Sequence, residues 1–490
     1  MNGNVLKIAH ISSEVAPYSK SGGLGVVLRS LPKALHRLGH EVIVITPYYE
    51  KIIDAEAFKL EKVLADVEIK IDNMNTIKVD YWRGYLMGGL PVYFVGNRKY
   101  FGRKKKIYGS TKENRRFFVL DLAAIKLMKI LEWKPDVVHC HDWHAGLVPE
   151  LLKKRYGRDP FFSQAASIYT VHNLMYQFGK TWWAVPRNKR DKGTTALPSF
   201  DSEEFENINF AKRGIIHCDI INAVSEMYAR EIMTKDFGED LHRVLKNRRE
   251  KLYGIVNGID YDVYNPDKDP GLARKYNHRK VHRKKDNKKW LQEFLDLPQN
   301  PDIPIIAMVT RIAEQKGFDL LKKIIDDLVK LDLQIAILGS GEKELINFLQ
   351  KARKKYPDKI GLHAHFSNKY ETSFYAGSDM FLMPSRFEPC GLGQLISLRY
   401  GSVPIVRATG GLFDTIENFD PEKNTGNGFV FEKYSAKELL IAIIRALENF
   451  RHQKSWRDLI VRGMKVSSSW EIPAQKYAVL YHKAIQEKRH

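Results

Sequence analysis

Short apolar runs recur along this chain, at residues 5–11, 41–46, 92–95, 137–140, 167–171 and 220–224, and each is nearly continuous rather than alternating. A strand that is apolar on both faces must be covered on both, which predicts parallel strands within a doubly wound α/β sheet. A helical period over residues 24–38 follows the first run and stops at Gly39, a residue suited to the left-handed turn past a helix end. Strand, glycine-rich turn, helix, strand is the order of a Rossmann-like domain. The pattern restarts at residues 303–309, 334–338, 380–383 and 403–406, which read as a second such sheet. A chain of 490 residues is too long for one ordinary core and comfortable for two. The boundary is expected near residues 254–257, giving domains at 1–254 and 255–470, and the segment 473–490 reads as a closing helix.

Two Rossmann-like domains in tandem predict a cleft between their strand ends, because open α/β sheets bind ligands outside the carboxyl ends of their strands. Function is therefore expected on loops that follow strands. The other totals narrow the class. A formal net charge of +21 suits an anionic partner, and much of it lies in residues 103–106 and 274–289. The second stretch carries one aromatic, Tyr276, whereas a nucleic-acid surface interleaves several with its cations. Both stretches read as solvated loops or helix faces, and no nucleic-acid partner is expected. Three cysteines without a CxxC are neither a disulfide framework nor a zinc site, and no apolar run is long enough to span a membrane. A reducing cytoplasm fits.

Four loops carry the chemistry. The first, Pro17-Tyr18-Ser19-Lys20-Ser21-Gly22-Gly23-Leu24-Gly25, lets backbone approach a ligand and adds a lysine for phosphate; it is not GxGxxG, so nicotinamide is disfavoured. The second, His141-Asp142-Trp143-His144, offers either metal-ligand atoms, with His172 as a third, or a polar loop for sugar hydroxyls. His172-Asn173 follows another strand. The third, Arg311 to Gly317, places Arg311 and Lys316 five apart, which suits a clamped diphosphate. The fourth, Ser385 to Gln394, has a carboxylate, Glu388, before glycines that open a helix; Cys390 there reads as a wall residue, or as a nucleophile if a base stands nearby. Asp260-Tyr261-Asp262 and Asp267-Lys268-Asp269 match the DxD of metal-dependent transferases and read as turns.

Taken in order, HISSEVAPYSKSGGL, HDWHAGL, HNLMYQ, NAVSEMYAREI, GIVNGIDYDVYNPDKDP, NKKWLQEFLDL, TRIAEQKGFDLL, PSRFEPCGL, LRYG and RATGGLFDT run collinearly along nearly the whole chain. The chain resembles the bacterial and plant glycogen/starch synthases. The resemblance implies a GT-B fold, with residues 471–490 packing back on the first domain, and retaining transfer of glucose from a nucleotide sugar, ADP-glucose foremost, to an α-1,4-glucan, without metal or cofactor. It implies that Lys20, Gly22 and Gly23 contact the donor. Asp142, His172 and Asn173 line the glucose or acceptor side, and Asn257 stands at the linker. Arg311 and Lys316 hold the diphosphate, while Glu388, Cys390, Gly391 and Leu392 surround the glucose. Phe366 lies against the base, and Tyr100 is a cleft tyrosine.

Gly25-Val26 stands where the family usually has Ala-Asp, and Gly393 where Thr or Ser is usual, but no implied cation or carboxylate is lost. The sucrose-type enzymes of the same fold commonly carry E-x7-E, and Ile396 occupies the second position here. The alternatives are a UDP-glucose-dependent enzyme of the same fold and an inactive glucan-binding protein.

Overall fold

The computed structural model describes residues 5–365 and 367–489, and in it the early apolar runs become strands of one sheet. The nine strands of that sheet are β1 (Lys7–Ile11), β2 (Glu41–Pro47), β3 (Glu61–Lys70), β4 (Thr76–Leu86), β5 (Leu90–Gly96), β6 (Val137–His141), β7 (Ala166–Val171), β8 (Ile220–Ala223) and β9 (Leu252–Gly254). Their order is β3-β4-β5-β2-β1-β6-β7-β8-β9. The central strand β1 runs parallel to β2 and β6, with Ile8 opposite both Val42 and Val137. Helix α1 (Gly23–Arg37) follows β1 and buries Leu24, Val27, Leu28, Leu31 and Leu35, one stripe at helical spacing. Gly39 beyond it adopts φ +93°.

The apolar pattern does not predict β9, three residues long, or the hairpin β3–β4. It pairs antiparallel at the sheet edge, and β3 is mostly exposed or half-buried, so polar residues interrupt its apolar ones.

The second sheet comprises β10 (Ile305–Val309), β11 (Gln334–Leu338), β12 (Ile360–His363), β13 (Met380–Met383), β14 (Val403–Arg407) and β15 (Phe429–Phe431), all parallel, in the order β12-β11-β10-β13-β14-β15. The two strands absent from the sequence reading, β12 and β15, are its edges, four and three residues long. The chain divides into two compact units, Met1–Asn257 with Trp470–His490, and Gly258–Ser469. The last helix, Glu471–Arg489, belongs to the first unit: the Tyr481 hydroxyl lies 3.0 Å from His139 Nδ1, and Asn222 Nδ2 donates to the Tyr477 hydroxyl at 2.9 Å. No described helix is long and apolar enough to cross a membrane.

The basic stretch at 274–289 corrects an expectation. Arg103, Lys105 and Lys106 are exposed as expected, and so are Arg274, Lys275, Arg279, Lys280, Lys285 and Lys289, but Lys284, Lys288 and Tyr276 are buried. Lys284 Nζ donates to the carbonyls of Ala376 (2.7 Å), Tyr400 (3.1 Å) and Tyr375 (3.3 Å). These carbonyls lie at the carboxyl ends of the helices Asn368–Gly377 and Gly393–Arg399, so one lysine amine closes two helix ends where partial negative charge collects. One turn on, Lys288 Nζ meets Asp379 at 2.8 Å and the Pro301 carbonyl at 2.8 Å. A charge run reads as solvated only until packing supplies its cations with acceptors.

Burial pushes the Lys284 amine down to about 7, below the ~10.4 of an unfolded lysine. The folded state therefore carries its full desolvation penalty below pH ~7 and sheds it as pH rises toward ~10.4. The stability of the wild type relative to Lys284→Met should climb over that window, by at most about 1.4 kcal/mol per pH unit. Paired melting curves from pH 7 to 10 at fixed ionic strength measure it, and a constant difference between the two proteins would contradict it.

Candidate functional site

In the first unit the candidate residues collect just past the carboxyl ends of β1, β6 and β7. Asp142 leaves β6 with φ +57°, a backbone region uncommon for a side chain of this size, and is nearly buried. Its Oδ1 accepts the backbone N–H of His172 at 2.7 Å and of Asn173 at 3.3 Å, tying the loop after β6 to the loop after β7. Burial pushes the Asp142 carboxyl up to about 7 against those two donors. His172 in turn meets His141 through Nε2 at 3.0 Å, and Asn173 Oδ1 accepts from Met175 N at 3.1 Å.

The loop after β1 is braced from below. Glu14, 1% exposed, accepts the Ser21 N–H at 2.5 Å, and its burial pushes its pKa up from the ordinary carboxylate value. That bond orients the segment carrying Lys20, which is exposed. A Cβ added to Gly22 or Gly23 would meet nothing within 4 Å, so open room lies over both glycines, while at Gly25 it would meet the Ser19 carbonyl at 3.1 Å. The glycines at 22 and 23 are thus not demanded by packing, and the space over them is available to a ligand.

In the second unit the loops after β10 and β13 are laced together. Lys316 Nζ lies 2.5 Å from Glu388 Oε2, which also accepts from Ser385 Oγ at 3.1 Å. Arg311 donates to Gln315 Oε1 at 2.8 Å, and Gln315 reaches the other loop through the Arg386 N–H at 2.9 Å. Gly317 follows at φ +82°, where a Cβ would strike the Pro384 carbonyl at 2.2 Å. The segment Glu388–Cys390 is pressed against Gly410 and Gly411: a Cβ there would meet the carbonyls of Glu388 and Cys390 at 2.0 Å each. Cys390 is buried, and Gly391 and Leu392 lead into the helix Gly393–Arg399.

Structure thus groups Asp142, His172 and Asn173 by direct bonds, and Lys316 with Glu388. Tyr100 is bonded to neither group, its N–H on Asn97 Oδ1 at 3.0 Å and its ring 6.4 Å from Phe200. Asn257 is buried at the end of the first unit, its Oδ1 without a partner among the described residues. Phe366 lies outside the described residues. The metal alternative at 141–144 loses its geometry: both ring nitrogens of His141 are engaged by histidines, and His144 packs among Trp143, Phe117 and Tyr108. The DxD aspartates serve turns, as expected: Asp260 Oδ1 accepts from Asp262 N and Asp269 Oδ1 from Gly271 N. Sequence reasoning does not reach Glu14, His10 or the glycine pair 410–411 as parts of the site. Each lies inside a quoted motif or beside one, but only contacts across the fold reveal what it supports.

Two α/β units in tandem, with charged and polar groups on the loops past their strand ends, have the architecture of the GT-B glycosyltransferases, and the comparisons with known proteins place the chain in that class. Residues 7–247 match the starch synthase catalytic domain family and residues 292–459 match glycosyl transferases group 1. The glycogen synthase of Thermosipho africanus is 40% identical over 99% of this chain and 100% of its own length; that of Moorella thermoacetica is 41% identical over 99% and 98%. Among solved structures, the catalytic domain of starch synthase IV from Arabidopsis thaliana, bound to ADP and acarbose, superposes with TM-score 0.88 at 32% identity, covering 99% of this chain and 100% of that one. Sucrose-phosphate synthase from Thermosynechococcus elongatus shares the fold, with TM-score 0.62 at 17% identity over 98% and 99% of the two chains. The chain belongs to the glycogen/starch synthase family of retaining glycosyltransferases, which build α-1,4-glucan from a nucleotide sugar.

The Lys316–Glu388 contact carries a stability prediction. Both side chains are largely buried, so Lys316→Ala strands a carboxylate with one hydroxyl partner and should cost about 1–3 kcal/mol. Adding Glu388→Gln removes the stranded charge and should recover part of that loss. Urea unfolding of the two single variants and the double variant decides; strict additivity would mean that the pair is not coupled.

Proposed function

We propose that this enzyme transfers glucose from ADP-glucose to the non-reducing end of an α-1,4-glucan, with the donor's diphosphate on Arg311, Lys316 and Lys20. The observation that carries the reading is the Lys316–Glu388–Ser385 cluster beside Arg311, a cation and a carboxylate held together before any ligand arrives. Leaving of a nucleoside diphosphate from an oxocarbenium-like centre puts negative charge on phosphate oxygens and positive charge on the sugar. Fixed cations stabilise the first, and Glu388 with the backbone N–H groups of Gly391 and Leu392 orients the second, with Cys390 as its wall. Asp142, His172 and Asn173 serve the sugar's hydroxyls, and Tyr100 and Asn257 complete its surroundings. In this reading residues 1–254 are the acceptor side and 255–470 the nucleotide-sugar side.

The presence of ADP in the Arabidopsis starch synthase IV structure supports an adenine nucleotide, and its acarbose supports an oligosaccharide acceptor. Three positive side chains make a metal unnecessary to the charge argument. Three buried cysteines, none of them in a disulfide, suit a reducing compartment, the cytoplasm.

The direct test offers purified protein glycogen with labelled ADP-glucose and UDP-glucose in parallel, in excess EDTA. Incorporation from ADP-glucose should dominate and survive the chelator. Preference for UDP-glucose, or activity that returns only with Mg²⁺ or Mn²⁺, would overturn the donor or the metal-free reading respectively.

Lys20 is tested separately, because its loop is braced by Glu14 and open over Gly22 and Gly23. Lys20→Ala should lower kcat on the order of 10²–10³-fold, the cost of one preorganised donor at a developing anion, and change KM less. Lys20→Arg should rescue only partly, since a planar guanidinium does not replace a compact ammonium. Near-normal turnover by Lys20→Ala at an unchanged melting temperature would remove this lysine from the site.

A further inference from the structure

Three histidines of the first unit form a chain. His10 lies in β1, His141 ends β6, and His172 follows β7. His10 Nδ1 is 2.9 Å from His141 Nε2, and His141 Nδ1 is 3.0 Å from His172 Nε2. His10 and His141 are wholly buried and His172 half-buried. Burial pushes His10 and His172 down to about 3 and His141 well below its ordinary value, so all three rings are neutral near pH 7. A neutral imidazole has one N–H and one bare nitrogen. With one proton per ring and one needed in each hydrogen bond, only two arrangements remain: both bonds point from His10 toward His172, or both point back.

The buried end of the chain chooses between them. His10 Nε2 is buried with no partner among the described residues. If the bonds point back toward His10, that atom is an N–H with no acceptor; if they point outward, it is an unused lone pair. A buried, unpaired N–H is the rarer and costlier of the two. The outward arrangement puts the proton of every ring on Nδ1, the less common neutral form of a histidine in water. Resting on the reading of His172 as a sugar-contacting residue, we propose that His10 and His141 are positioning residues that hold the proton of His172 on Nδ1, so that this atom meets the sugar as a hydrogen-bond donor.

A metal ion is the rival use of this core, because ring nitrogens of His10, His139 and His141 lie within 4.8 Å of one another. However, His139 is held by Thr170 Oγ1 at 2.6 Å and the Tyr481 hydroxyl at 3.0 Å, and His141 by its two histidine neighbours. An ion would displace a bond at His139 and another at His141, and it would bring charge into a site without a carboxylate. The chain accounts for the same atoms with every bond kept.

The test is a long-range proton–nitrogen correlation spectrum of the full-length enzyme labelled with ¹⁵N-histidine, in which protonated and bare ring nitrogens separate; His172→Asn identifies the signal. Wild type should show His172 protonated at Nδ1 and bare at Nε2. His10→Asn keeps a donor where Nδ1 stood and should leave His172 protonated at Nδ1, as in wild type. His10→Asp puts an acceptor there, so the proton should move to Nε2 of His172 and kcat/KM should fall about 10- to 100-fold, the usual scale for losing an orienting outer partner. A wild-type His172 protonated at Nε2 overturns the proposal, as does a folded His10→Asp protein with an unchanged spectrum. If His10→Asp fails to fold, the wild-type and His10→Asn spectra decide. A tautomer that moves while turnover does not would leave the chain of histidines standing and remove His172 from the sugar site, so the failure would belong to the functional reading alone.

Discussion

Every residue of β6 and β7 is buried, as are all residues of β10 and β11, because helices cover both faces of a parallel sheet. A chain buried on both sides can present polar groups to a ligand only where it leaves the sheet. Lys20, Asp142, and the pair His172 and Asn173 follow β1, β6 and β7, while Arg311 with Lys316 and Ser385 with Glu388 follow β10 and β13. The site residues are spread over hundreds of positions in sequence and brought to strand ends by this one requirement.

Most of these groups are held before a ligand arrives. Glu388 has Lys316 and Ser385, Asp142 has two backbone N–H groups, and Glu14 has the N–H of Ser21. Such partners fix orientation, so little reorganisation remains when charge develops in the reaction. They also set ionisation. Asp142 is raised toward neutrality by burial, and the histidines beneath it are kept uncharged, so polar groups inside the sheet add hydrogen bonds without adding charge. Lys284 is used structurally, closing helix ends rather than meeting a partner, and burial lowers its basicity, so a formal net charge of +21 does not translate directly into an anion-binding surface.

Much of this was legible in the amino-acid order. Continuous apolar runs located β1, β2, β5, β6, β7 and β8, and four strands of the second sheet, because burial on both faces leaves a signal in every residue. The same logic explains the misses: β3 and β4 are half-exposed, and β9, β12 and β15 are too short for a run to stand out. Motif order exposed Lys20, Asp142, His172, Arg311, Lys316 and Glu388, since reactive residue types beside glycines after a strand are visible one position at a time.

Pairings were not legible. That His10 faces His141, that Gly410 and Gly411 seat the backbone of Glu388 and Cys390, and that Lys284 closes two helices are relations between residues tens to more than a hundred positions apart. A sequence determines which segments must be buried, because hydrophobic burial is summed residue by residue. Which buried polar atoms meet is decided only when the strands lie side by side, because a hydrogen bond depends on a separation of about 3 Å that no local pattern encodes.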